Sequence, residues 1–107
     1  MQTLNAQATP PAFAINEITV TNQDGYAKEF VPAATKVLHE FGAKFVVRGG
    51  KTESFSGTPP APRIVILQFD SLDKAKAWWN SPGQKEAETI GAKYAQFRVY
   101  AVEGLAP

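Results

Sequence analysis

The stretch "RIVILQF" at residues 63–69 constrains this chain more than any other part of it. Side chains of a strand alternate between faces, so if Val65, Leu67 and Phe69 meet a layer of helices, Ile64 and Ile66 point away from it. Ile15, Val46 and Val102 join that second face on the same alternation, and Glu17, Arg48, Gln68, Arg98 and Tyr100 also project from alternate positions, which makes the face partly polar. Leaving large aliphatic side chains in water forgoes roughly 1.5–3 kcal/mol for each, and monomers seldom tolerate a contiguous apolar patch of this kind. A chain of 107 residues builds one core and has little left to cover a second face. The expected remedy is a homodimer in which two such sheet faces pack together about a twofold axis.

The rest of the chain reads as alternating strands and helices. "FAINEITVT" is rich in branched residues and ends at "NQDG", where Asn22 can cap a helix and Asp24 suits its dipole. Tyr26, Phe30, Ala33, Val37 and Phe41 recur at helical spacing, with Pro32 the one awkward residue and Gly42 the stop. "KFVVR" is a second strand, "GG" at 49 and 50 suits a tight reversal, and "KTESFSG" reads as a short edge strand ahead of the stiff connector "TPPAP". Ser71 caps a helix carrying Leu72, Ala75, Trp78 and Trp79 on one arc. Ser81, Pro82 and Gln84 form a capping-box pattern for another, which presents Ala87, Ile90 and Tyr94 inward with Gly91 allowing close approach. "QFRVYAV" is the last strand. The economical solution is a single α+β domain over residues 12–107, a ferredoxin-like four-stranded antiparallel sheet with its helices on one face. Residues 1–11 read as an uncharged lead-in. Their "AQA" at 6–8 has the form of a signal-peptidase site without the regions that precede one. Export to the periplasm or outside the cell follows if a signal was trimmed there, and a cytoplasmic location otherwise.

Composition removes whole classes of chemistry. Eleven Lys and Arg against ten Asp and Glu give a charge of +1, and the basic residues are scattered, so neither nucleic acid nor an anionic membrane is an expected partner. No segment is long enough to span a bilayer. The absence of cysteine and the single histidine leave no metal site to expect within one chain. "RGGKT" lacks the spacing of a phosphate-binding loop, nothing resembles a nucleophile elbow, and "RIVILQF" offers aliphatics where an RNA-binding sheet needs stacking aromatics.

The phrases "VTNQDGYAKEF", "FGAKFVVRGG", "RIVILQFDSLDKAKAWWNSP" and "FRVYAVEG" together resemble the bacterial family known as domain of unknown function 1330, within the dimeric α+β barrel superfamily. The resemblance spans residues 12–104 and departs at Asn22, where members usually carry Asp. It implies the fold and the dimer. It also implies a crevice between helices and sheet, which superfamily relatives use as cofactor-free monooxygenases, lactone isomerases or haem-dependent enzymes. The haem variants commonly need an axial histidine, and His39 lies opposite the apolar stripe of its helix.

Four residues are candidates for a small-molecule site in that crevice, used without a bound cofactor. Arg48 ends a strand beside two glycines, where a guanidinium can hold a carboxylate through two parallel hydrogen bonds, or else bridge to an acid across the dimer. Trp78 can stack on a planar ligand, although its place on the apolar arc favours core packing. Tyr26 can pack its ring inside and extend its hydroxyl to a cavity. Asn80 can orient a ligand carbonyl, since Ser81 already explains the cap, or can stabilise its own turn. The competing reading makes the chain a non-catalytic dimeric module in which all four serve folding and partner contact.

Overall fold

Strand β1 (Ala12–Val20) buries Ala12, Ala14 and Ile18 on one side and holds Phe13, Ile15 and Glu17, half-buried, on the other. The computed structural model describes residues 9–107; the "AQA" of the lead-in lies outside the described residues. After β1, Asn22 accepts a hydrogen bond from the Gly25 amide at 3.0 Å and opens helix α1 (Gln23–Gly25). A π-helical segment (Tyr26–Phe30) and helix α2 (Val31–Glu40) continue it without a break. Pro32 accounts for the π turn: its ring would collide with the carbonyl four residues back and it has no amide to donate. The widened turn just before it lets the Val31 amide reach Tyr26 O, five residues back. Residues four apart share a face of the helical run. Tyr26 and Phe30 therefore both point inward, their rings stacked at 5.3 Å.

Gly42, at φ 69°, ends the helical run and leads into β2 (Lys44–Arg48). β3 (Arg63–Phe69) returns beside it. Ser71 and Ser81 then cap helices α3 (Leu72–Trp79) and α4 (Pro82–Gly91) by accepting from the amides of Lys74 and Gln84 at 3.1 and 3.2 Å. β4 (Ala95–Glu103) closes a four-stranded sheet of order β2-β3-β1-β4, antiparallel throughout. This is the ferredoxin-like plan. Val65, Leu67 and Phe69 are buried against Leu38, Ala75 and Trp78 of the helices, while Ile64 and Ile66 stand half-buried on the outer face.

Two expectations are corrected. "KTESFSG" forms no strand, and residues 51–60 are all exposed, Phe55 to 91%. Its alternation offers a single large apolar residue to bury, and the neighbour that β2 takes is β3, whose apolar run gives far more in return. The second correction concerns register. Phe45 pairs with Leu67, but Val47, not Val46, pairs with Ile66, and Arg48 pairs with Val65. The bulge at Val46 carries Arg48 from the outer face, where simple alternation put it, to the helix side.

Glu17, Arg98 and Tyr100 do share the outer face. Arg98 Nη1 lies 3.5 Å from Glu17 Oε2, and the Tyr100 hydroxyl donates to the same oxygen at 3.4 Å.

Gly91 tests the helix packing. A methyl group there would come within 2.7 Å of the Phe30 ring and 3.0 Å of the Phe97 ring. An unobstructed Gly→Ala change in a helix interior gains roughly 0.5–1 kcal/mol; Gly91→Ala is expected instead to lose about 1–3 kcal/mol through overpacking. Urea unfolding measures the sign, and a gain in stability would contradict the packing described.

Candidate functional site

Between the helices and the sheet lies a cavity of about 470 Å³, within the usual range for small-molecule sites of roughly 300–1,000 Å³. The inner-face side chains Ile18, Val65 and Leu67 line it from the sheet, and Phe30, Leu38 and Trp79 from the helices. Its polar lining comes from all sides: Asn16 from β1, Arg48 and Arg63 from β2 and β3, Tyr26 from the π turn, Trp78 from α3, and Gln84 and Glu88 from α4.

Buried polar atoms normally find a partner, and one left without costs about 1–3 kcal/mol. Among the described residues, three buried side-chain atoms have none: Arg63 Nε, Trp78 Nε1 and Gln84 Oε1. All three belong to residues lining this one cavity. Two are donors by their chemistry, and the third belongs to an amide that offers either function. Asn16 is partly engaged, its Nδ2 donating to Ala14 O and Val65 O at 3.3 Å each. Glu88 is engaged by Lys85 at 3.1 Å. The Arg48 Cζ sits over the Phe45 ring, 3.8 Å from its centroid, and that of Arg63 stands 5.8 Å from the centroid of Tyr26. Neither guanidinium pairs with a carboxylate among the described residues. Away from the cavity floor, the Tyr94 phenol is raised above the usual tyrosine range by its hydrogen bond to Glu29, and desolvation and the Glu29 charge act in the same direction.

Three of the four sequence candidates, Tyr26, Arg48 and Trp78, line the cavity together. Trp78 also serves the core, its ring 5.2 Å from that of Phe69, so packing and cavity lining coexist in one side chain. Asn80 does not join them. It ends α3 as an exposed C-cap and borders a separate groove between α3 and β4. His39 is exposed, and no group of three or more His, Cys, Asp or Glu side chains gathers at one point among the described residues. Arg63, Gln84 and Asn16 are not among the site candidates drawn from the sequence, and Gln84 does not complete the capping box: its amide donates to Ser81 Oγ, while its side-chain Oε1 is buried without a partner. Each of the three carries a signal in the sequence. It is the polar residue in phase with a buried apolar series: Asn16 with Ala12, Ala14 and Ile18, Arg63 with Val65, Leu67 and Phe69, Gln84 with Ala87 and Gly91.

The model of domain of unknown function 1330 matches residues 11–105, and the chain belongs to that family. No curated protein sequence matches it. Among solved structures, it is similar to a protein of unknown function from Rhodopseudomonas palustris, with a TM-score of 0.72 at 16% identity over 100% of this chain and 95% of that one. It is also similar to SnoaB, a cofactor-independent oxygenase from Streptomyces nogalater (TM-score 0.57, 12% identity, 92% and 97% covered). A third is a dimeric protein of unknown function and ferredoxin-like fold from Bacteroides fragilis (0.56, 16%, 88% and 96%). At these identities the likeness shows the shared fold.

Gly49 seats Arg63. Its φ is 69°, and a methyl group on it would collide with the Arg63 Nη1 atom. Gly49→Ala is expected to cost about 1–2 kcal/mol for the left-handed backbone alone, read by urea unfolding. An unchanged midpoint would mean that the turn does not hold this geometry in solution.

Proposed function

We propose that the protein is a homodimer formed through the outer sheet faces and that each protomer binds a small organic molecule in its helix–sheet cavity without a resident cofactor. One observation carries the ligand reading: the three buried polar atoms without partners all belong to residues around a single, mostly apolar cavity. A few convergent polar groups on an apolar wall are the usual build of a ligand pocket. A ligand that hydrogen-bonds to the polar groups on such a wall offsets the cost of holding them out of water. The likeness to an oxygenase that works without a cofactor supports the last element of the proposal at the level of the fold.

The dimer reading is supported by the outer face itself. Tyr100 and Val102 are 44% and 53% exposed there, beside half-buried Ile15, Ile64 and Ile66. The Glu17 carboxylate on that face is already held within the protomer by Arg98 and Tyr100. Covering it with a second sheet leaves no bare carboxylate at that point, which removes the largest electrostatic objection to burial. The Bacteroides fragilis relative by fold is a dimer.

A thermal-shift screen with aromatic acids, lactones and quinones tests the ligand reading, and stabilisation by haem alone would contradict its cofactor-free part. At least one class is expected to raise the melting temperature, as any molecule that binds only the folded state must, and to change the fluorescence of Trp78 and Trp79. A panel that moves neither quantity would contradict it. Ile66→Glu tests the dimer, because Ile66 stands between Ile15 and Val47 on the outer face. Light scattering after gel filtration is expected to find this variant monomeric and the parent dimeric; equal masses would contradict the proposed interface.

A further inference from the structure

We infer that the cavity is built for an organic anion, a carboxylate on a flat apolar body, with Arg63 and Arg48 as the groups that bind the charge. This rests on the reading of the cavity as a ligand site and names the class of molecule it takes. The charged residues lining the cavity are Arg48, Arg63 and Glu88. Glu88 is engaged by Lys85. What remains is two guanidinium groups on a mostly apolar chamber with no carboxylate paired to either among the described residues.

The two arginines are neighbours by register. Arg48 pairs with Val65, and Arg63 lies two residues along β3 on the same face. That diagonal places their Cβ atoms within roughly 8 Å, close enough for both to reach one anionic group. Two like charges so placed repel each other, and an anion between them converts the repulsion into two attractions. Each guanidinium has neighbours that limit its motion: Arg48 sits over the Phe45 ring, and Arg63 lies near the Tyr26 ring and against the bare backbone of Gly49. The Arg63 Nε–H has no partner among the described residues, so no acceptor among them already holds that donor, and a carboxylate accepts the forked donors of a guanidinium through two parallel hydrogen bonds. Aromatic rings at Phe30, Phe45 and Trp79 line the same chamber and suit a flat body. Arg63, half-buried, is the main anchor, and Arg48, exposed, stands at the rim.

Titration calorimetry with 2-naphthoate and its uncharged near-isostere 2-naphthamide tests this. The wild-type protein is expected to bind the carboxylate at least about tenfold more tightly than the amide, the scale of a charge-assisted bidentate contact. Arg63→Gln is expected to abolish that preference while leaving the amide affinity unchanged, which loss of folding would not do. Arg63→Lys, which keeps the charge without the fork, should lose most of it, and Arg48→Gln part of it. Equal binding of the two compounds, or binding of neutral lactones or quinones when neither naphthalene compound binds, overturns the anion and leaves the cavity reading standing. A preference that survives both arginine substitutions overturns the assignment to these residues. If no compound of any class binds, the cavity reading fails and this inference with it.

Discussion

Strand β3 lies between β2 and β1, and it is apolar on both of its faces, so everything else in the molecule is arranged around covering it twice. One covering is within the chain: Val65, Leu67 and Phe69 are buried beneath the helices. The other face is left half-covered, with Ile64 and Ile66 flanked by Ile15 of β1 and Val47 of β2. A single layer of helices can protect a sheet from one side alone. The proposed pairing with a second copy and the internal chamber both trace to one strand, since the layer that hides its inner face also encloses the cavity against it while leaving the outer face half-covered.

Two irregularities shape that chamber. The π turn ahead of Pro32 accommodates the proline within the helical run that carries Tyr26 and Phe30 on one inward face, their rings stacked. The bulge at Val46 then carries Arg48 to the helix side, next to Arg63. Departures from regular geometry of this kind gather where a structure must aim a side chain at a ligand. Without the bulge the two guanidinium groups would stand on opposite faces of the sheet.

Much of this was legible in the sequence, and the reasons for success and failure are physical. The extents of β2 and β3 and the caps at Asn22, Ser71 and Ser81 follow from period-two patterning and from side chains that accept amide protons at a helix start. The inward and outward sets of β3 follow from the same alternation. It failed on β2, where nothing in "KFVVR" marks the extra residue, and so Arg48 was placed on the wrong face. "KTESFSG" misled because turn glycines before it suggest a hairpin, whereas pairing is decided by what the partner strand can bury. In the cavity, Tyr26 and Trp78 were found as large amphipathic residues on apolar stripes. Asn80 was misplaced because its neighbours in sequence belong to the cavity while its own side chain lies beyond the end of the helix. Arg63, Gln84 and Asn16 were passed over because each had a local explanation or none, although each interrupts a buried series in phase.

The dependence of the whole arrangement on a doubly covered sheet is open to one direct measurement, sedimentation equilibrium of the unmodified protein over a range of micromolar concentrations. A species of twice the 11.6 kDa chain mass is expected throughout most of that range. A lone 11.6 kDa species at every concentration would show that the outer face of β3 needs no second copy, and would contradict the proposed dimer.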